Sequence, residues 1–504
     1  MLAATAPRSV PALRSPQAAG PITFVLGLAF ILLGTGCAQL DAPRPEAFVA
    51  PEGWSTAATA AAGQTAATRT NSASASAPAA TPNFTPAPWP AGDDAVLADL
   101  LARLERDNLE LKGAAARLAA SRAVAEHAAA LHRPWLDGGL DLARQRVPRS
   151  SFRDSDGQRH RVPPYRESRY DAQFVLGYEV DLFGRLAQLQ AGAEAAQAAQ
   201  AADLEVLRLR LRLETRFAYL DLRHAESQQE ESAAAAMLLR QRLEHLTARH
   251  SAGLVGRDAL RPAQDALAAV ERQAAAERAE RHLAHSRLAV LLGQAPAELV
   301  VAPAPPAAKP ATPGQTPAEL PAAVIARRPD IAAAWNAALA AAHERERVRL
   351  ERWPRLTLTA SGGVLSDRLG DWLRRDAVGW LAGLALQGPI LDGGRHAARH
   401  DAARAEAEAA HANYRQQVVA ALGEVESTLL RLEAARQQDD SLTQQRARRA
   451  GHLADTQASA HAGRSDALAL IDAELELLAA RREQYAGRHA LQVRWHEARH
   501  SLGY

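Results

Sequence analysis

Cysteine is almost absent from this chain of 504 residues: there is one, Cys37. A single thiol excludes a disulfide framework and any zinc or iron–sulfur site built from several cysteines. Aromatic residues are sparse, with 8 Trp, 7 Tyr and 8 Phe, although the length suggests roughly three domains of material. No run reaches the 18–20 apolar residues of a membrane-crossing helix. Charge of one sign is lacking too. Lys+Arg number 59 against Asp+Glu 57, a formal net charge of +2. The basic footprint of a general nucleic-acid binder is therefore missing, and no nucleic-acid partner is expected. There is no nucleotide-binding loop and no nucleophile–base arrangement, so no enzyme activity, cofactor or metal is expected.

Alanine takes the vacated room, and Leu, Arg, Glu and Gln fill most of the rest. That is the mixture of long helices and coiled coils. Composition alone implies a soluble, mostly helical protein, but the N-terminus changes the class. Residues 1–21 carry Arg8 and Arg14 and no acid, and Ile22–Leu33 is an uncharged, mostly apolar run of twelve. Twelve suits a signal-peptide core and is too short to span a bilayer. Gly34, Thr35 and Gly36 lead directly into Cys37. This is the pattern of a lipobox, with Leu33 one position further from the cysteine than usual; the alternative is a free thiol in an ordinary signal region. The expected organisation begins with a signal peptide (1–36) and a lipidated N-terminus with a disordered tether (37–92). Ala38, rather than an acid, follows the cysteine, as in lipoproteins sent to the outer membrane. The tether is too poor in apolar surface to order itself, and so is a linker at 302–317.

The segments on either side, 93–301 and 318–501, are repeats. Arg133-Pro134-Trp135-Leu136 corresponds to Trp353-Pro354-Arg355-Leu356, an offset of 220 from Pro134 to Pro354. After the strands the offset is 210: Gly253 with Gly463, Leu260 with Leu470. The first β-hairpin (134–183) should thus carry a loop about ten residues longer than the second (354–392). Phe174, Leu176, Tyr178, Val180 and Leu182 alternate with Gln173, Gly177, Glu179 and Asp181, the period of a half-buried strand. Each repeat reads as a leading helix (95–131, 318–352), two strands, a very long helix (186–250, 396–461) and a return helix (258–294, 466–500). The two long helices hold no proline and run to about 95–100 Å at 1.5 Å per residue. Val418, Leu422, Val425, Leu429 and Leu432 step by 4, 3, 4 and 3, a coiled-coil seam. Leu207, Leu209, Leu211 and Leu213 alternate as a strand would, but their Ala- and Leu-rich surroundings favour helix.

Four strands cannot close a membrane barrel, since the smallest such barrels need eight. Strands with an apolar face must nevertheless hide their edges in lipid, and oligomerisation is the way left. Three copies would supply twelve strands. The expected fold is mainly α with a small β part: two tandem repeats, a long coiled-coil α-helical barrel, and a transmembrane β-barrel of four strands per chain.

The sequence resembles the TolC-like outer-membrane efflux family, in its lipoprotein branch of OprM and NodT type. The residues that carry the resemblance are Tyr178-Glu-Val-Asp-Leu-Phe-Gly-Arg185, Leu291-Leu-Gly-Gln294, Leu320-Pro321 with Arg327-Arg-Pro-Asp330, Gly388-Pro-Ile-Leu-Asp-Gly-Gly-Arg395 and Leu470-Ile-Asp-Ala-Glu-Leu-Glu-Leu-Leu478. They span about residues 95–500. The resemblance implies a homotrimer in the outer membrane of a Gram-negative bacterium. It also implies a passive exit duct for drugs and other small toxic compounds, working with an inner-membrane pump and a periplasmic adaptor. Alternatives are the exit channel of a type I protein or peptide secretion system, or a lipid-anchored periplasmic coiled coil without a pore; the latter has no use for alternating strands.

In such proteins the hairpin tips meet the adaptor, here Gly253, Leu254, Val255, Gly463 and Arg464, which also read simply as helix caps and turns. An aspartate with a leucine four residues earlier rings the closed periplasmic aperture, here Asp472 and Leu468. The basic residue that some relatives carry three positions later is replaced by Leu475. His496-Glu497-Ala498-Arg499-His500 fits the H-E-x-x-H zinc-protease pattern, but only four residues follow it, so it reads as a solvated terminal helix. Arg144–Arg169, Arg-rich with Phe152 and Tyr165, is an extracellular loop or a binder of acidic lipopolysaccharide groups.

Overall fold

A computed structural model describes residues 45–51, 53–54, 95–153, 155–303, 321–372 and 374–504. The expected signal peptide, Cys37, most of the expected tether and most of the expected 302–317 linker lie outside the described residues. The first repeat comprises α1 (Ala95–Asp107), α2 (Leu109–Ala130), β1 (Trp135–Val147), β2 (Ser150–Arg153), β3 (Arg159–Val162), β4 (Tyr165–Val180), α3 (Arg185–Ser251) and α4 (Leu260–Leu291). The second comprises α5 (Pro321–Arg327), α6 (Pro329–Leu350), β5 (Arg355–Ser366), β6 (Val378–Gln387), α7 (Arg395–His461) and α8 (Ala467–Ser501).

Both long helices contain 67 residues, about 100 Å of helix. Each starts after a glycine in the left-handed region, Gly184 at φ 79° and Gly394 at φ 84°. An aspartate just upstream accepts from the first free amides: Asp181 from Leu186 and Ala187, Asp392 from Gly394 and His396. The stretch with the ambiguous leucines is helical. Leu204, Leu207 and Leu211 all turn toward Leu97, Leu100 and Leu104 of α1.

Each leading helix, expected as one piece, is two. The first breaks at Asn108, whose side chain caps α2 by accepting from Leu111 N at 2.8 Å. The second breaks at Arg328, because Pro329 opens α6 and pushes the preceding residue to extended geometry (ψ 122°). The two breaks fall at matching positions of the repeats.

Alanine permits the packing. α3 is flanked by α2 and α6 near the sheet and by α4 and α8 further down. Ala202 of α3 packs on Ala332 and Ala333 of α6, and a Cβ added to Gly192 would already touch the His343 Cβ at 3.4 Å. Small side chains let helix axes approach closely, whereas aromatic rings would hold them apart. The coiled-coil seam is confirmed in α7, where Val418, Val425, Leu429 and Leu432 are buried.

The main sheet is antiparallel in the order β1-β4-β5-β6, and β2 and β3 form a separate ribbon. The 144–169 segment, expected as a loop, is largely strand: β1 takes in 144–147, β4 takes in 165–169, and between them β2 and β3 pair as a ribbon. Gly363 of β5 lies so close to β4 that an added Cβ would collide with the Ala172 carbonyl oxygen and sit 2.8 Å from Gln173 Cα. Gly363→Ala is therefore expected to cost roughly 1–3 kcal/mol by forcing the strands apart. An unchanged thermal midpoint of the purified protein would refute this.

Candidate functional site

The sheet has two chemically different faces. Register places Leu136, Leu140 and Leu142 of β1 beside Leu176, Ala172 and Tyr170 of β4. β5 continues the row with Leu356, Leu358 and Val364, and β6 with Leu386, Leu384, Trp380 and Val378. This face is apolar and bare: Leu136 is 64% exposed, Phe174 64%, Leu384 68% and Trp380 80%. A continuous apolar patch of that kind marks contact with lipid or another chain. The opposite face carries Asp137, Asp141, Gln173, Glu179, Thr357 and Thr359, interleaved with glycines. At its base Glu179 accepts from Arg185 Nη2 at 2.7 Å, joining the strand to the start of α3. Both edges of the sheet, β1 and β6, lack a neighbour among the described residues.

The other end is formed by the helix tips. α3 closes with Gly253 at φ 73° and α7 with Gly463 at φ 69°. The two turns bond alike: Leu254 N donates to Arg249 O at 2.9 Å, and Arg464 N to Ser459 O at 2.8 Å. Positive φ at the residue after the helix lets the chain reverse while capping the last carbonyls. Leu254 is exposed and Val255 half-buried. The N-cap of α8 is Asp466, which accepts from Ala469 N at 2.9 Å.

α3 and α8 run antiparallel, so acids of one meet bases of the other. Arg249 Nη2 lies 2.8 Å from Asp466 Oδ2, and Arg242 Nε lies 3.2 Å from Asp472 Oδ1. The Ala469 amide and the Arg249 guanidinium hold the Asp466 carboxyl below its ordinary value. Leu468 is half-buried in the first turn of α8, one turn before Asp472. The basic partner missing at Leu475 is thus supplied by a different helix. No local motif signals Arg242 or Arg249, because their partners stand more than two hundred residues away.

The H-E-x-x-H residues form no hydrolytic centre. His496 is buried beside Arg216 and Arg499; burial, then these two cations, push its pKa down to about 3. Glu497 is engaged by Arg494 at 2.7 Å. This corrects the expectation of a solvated helix end: α8 closes in the core, with Ala498 and Ser501 buried. The reason is the second repeat's break, where Arg328 donates to Ser501 O at 2.8 Å.

An amphipathic antiparallel sheet with a bare apolar face, standing on two 67-residue helices, is the architecture of an outer-membrane channel subunit. The solved outer-membrane channel OprN matches it with a TM-score of 0.74 at 25% sequence identity, over 91% of this chain and 98% of that one. The model of the outer membrane efflux protein family matches residues 100–294 and 320–503, and the chain belongs to that family. Its location is the outer membrane. The fusaric acid resistance protein FusA of Burkholderia cepacia is 28% identical over 336 residues, 63% of this chain and 60% of FusA. The pyoverdine export outer membrane protein OpmQ of Pseudomonas aeruginosa is 30% identical over 352 residues, 68% of this chain and 71% of OpmQ. The chain thus spans less than two thirds of FusA and somewhat more of OpmQ. The family is one of efflux proteins, and its solved relative is a channel rather than an enzyme.

Proposed function

We propose that three copies of the chain pair β1 of one with β6 of the next, closing a twelve-stranded barrel in the outer membrane above a barrel of helices. The assembly is a passive exit duct for small molecules and carries out no chemistry on them. The observation that carries this reading is the sheet itself: a bare apolar face and two unpaired edges are tolerable in lipid only when neighbouring chains complete the ladder. The helices, about 100 Å long, reach across a periplasm-scale distance. There Gly253, Leu254, Val255, Gly463 and Arg464 meet a periplasmic adaptor coupled to an inner-membrane pump. Leu468 and Asp472 narrow the aperture, and the Arg242–Asp472 and Arg249–Asp466 pairs hold it closed. FusA and OpmQ are named for fusaric acid resistance and pyoverdine export, which favours small molecules over proteins as cargo.

Lipid on Cys37 fits the same assembly. Glu46 O meets His411 Nε2 at 3.1 Å, and Phe48 packs against the Ile331, Trp335 and Val418 cluster. His411 stands sixteen residues into α7, about 24 Å below its start.

Purified full-length protein in detergent is expected to run as a heat-resistant trimer and to give single-channel steps in planar bilayers. Monomeric, non-conducting protein in outer-membrane vesicles would overturn the proposal.

A further inference from the structure

Beyond the apolar band the outward face of the sheet carries charge of one sign. On β1 the outward positions run Leu136, Gly138, Leu140 and Leu142, then Arg144 and Arg146. On β4 they run Leu176, Phe174, Ala172 and Tyr170, then Ser168 and Arg166. Arg144 stands opposite Ser168, and Arg146 opposite Arg166. Side chains alternate across a strand, so all three guanidinium groups share the side that carries Leu140 and Phe174. The acids of the same stretch take the other side. Glu167 accepts from Gln145 Nε2 at 3.2 Å, and Asp171 pairs with Arg169 at 2.7 Å. The outward charges of this stretch are thus all cations, while Glu167 and Asp171 lie inward together with Arg169. Arg144, Arg146 and Arg166 are exposed, and no ion pair joins them to a described carboxylate. Like charges directly opposite each other weaken an antiparallel pair; an anion held between Arg146 and Arg166 reverses that sign.

We propose that these three arginines bind the phosphate groups of phosphorylated glycolipids in the outer leaflet and fix the depth of the sheet in the membrane. The inference rests on the barrel reading, which makes the apolar face the lipid face. Leu142 and Tyr170 are the last apolar positions of that face, and the next outward side chain on β1 lies about 7 Å further along the strand. That step takes the chain from hydrocarbon to headgroups. Guanidinium matches phosphate as a planar, bidentate donor. Lipid is favoured over free phosphate because the three cations form a row above the apolar band rather than a closed pocket. A lone ion there would stay fully solvated and screened by salt.

The test uses the full chain in detergent, titrated with bisphosphorylated lipid A or its dephosphorylated counterpart and read by native mass spectrometry. The unaltered protein should prefer the phosphorylated lipid. Arg144→Gln/Arg146→Gln/Arg166→Gln should bind it about a hundredfold more weakly, from roughly a fivefold factor per arginine near an anionic surface. Arg169→Gln, on the opposite face, should leave binding unchanged, and inorganic phosphate should not compete. Equal binding of the two lipids, an unweakened triple variant or full competition by inorganic phosphate would each overturn the inference. Should the triple variant fail to fold, the two-lipid comparison on the unaltered protein decides by itself. Single-channel recordings separate the two readings. A conducting protein indifferent to lipid phosphate overturns this inference and leaves the duct standing. A monomeric, non-conducting protein overturns the duct and the lipid-facing assignment with it.

Discussion

Arg328→Ala is expected to destabilise the chain by roughly 3–5 kcal/mol, the usual cost of removing one partner from a buried ion pair. Arg328 sits at the break between α5 and α6 with its side chain 10% exposed. It donates to Asp330 at 2.7 Å, to Glu424 of α7 at 2.8 Å and to the Ser501 carbonyl at 2.8 Å. Gln417 adds a donor to Asp330 at 2.8 Å. One guanidinium thus ties the start of α6, the middle of α7 and the end of α8. Without it, the largely buried Asp330 carboxylate and the half-exposed Glu424 lose the cation they share. Burial alone would raise the Asp330 pKa, but the Arg328 hydrogen bonds and charge outweigh it, and the net shift is downward. Denaturant melts of the detergent-solubilised protein check the effect; a loss under about 1 kcal/mol would show that the carboxylates are satisfied otherwise. Arg328→Lys should recover only part, because an ammonium cannot serve three acceptors in the geometry of a fork.

The pH dependence follows from the same core. Asp330 has a folded pKa below its ordinary 3.8, so its stabilising contribution is present above that value and is lost as pH falls through the folded one. His496 acts earlier. Its pKa is lowered from 6.5 to about 3, so below pH 6.5 the unfolded chain takes up a proton that the folded chain refuses. Stability should therefore decline from pH 6.5 downward, before the carboxylates titrate. A stability curve flat from pH 7 to pH 5 would contradict this.

The second large effect concerns the aperture. Arg242→Ala combined with Arg249→Ala is expected to raise the closed-state conductance by at least about fivefold. An exposed ion pair contributes only roughly 0.2–1 kcal/mol. In the proposed trimer, however, two pairs per chain would act together on one opening equilibrium, which puts roughly 1–6 kcal/mol at stake. Asp472→Ala alone should raise the current in the same direction by a smaller factor. Mild acidification should not imitate either variant at the Arg249–Asp466 pair, since the Ala469 amide and Arg249 keep Asp466 charged below its ordinary 3.8. Planar-bilayer recordings decide: an unchanged closed-state current in the double variant would remove these pairs from the gate.

Much of this architecture was legible in the chain, and the reason is periodicity. Strand alternation at 173–182, the 4-3-4-3 seam at Val418–Leu432 and the paired glycines 253 and 463 are local signals, readable without knowing what they pack against. Each leading helix is broken by a single residue inside an otherwise continuous helical pattern: Asn108 caps a new helix with its side chain, and Pro329 forces Arg328 out of helical geometry. The Arg-rich segment has the composition of a loop, whereas β1 and β4 use alternate positions to send Arg144, Arg146 and Arg166 outward and Glu167 and Asp171 inward. The buried end of α8 was misread for the opposite reason. His496 and Arg499 look solvated until Arg216 and Arg328 are set beside them.

By itself, the sequence determined the repeat, the length of the helices, the hairpin turns and the strand period, since each depends on neighbours within a few residues. Only the tertiary structure decided which acid meets which base: Asp472 with Arg242, Asp466 with Arg249, and Glu424 with an arginine 96 residues away. It also decided the sheet order β1-β4-β5-β6, which leaves two edges bare among the described residues. Such pairings depend on the antiparallel register of α3 against α8 and on how the two repeats lie side by side. Helical and strand periods say which face is buried; they carry no record of the partner that buries it.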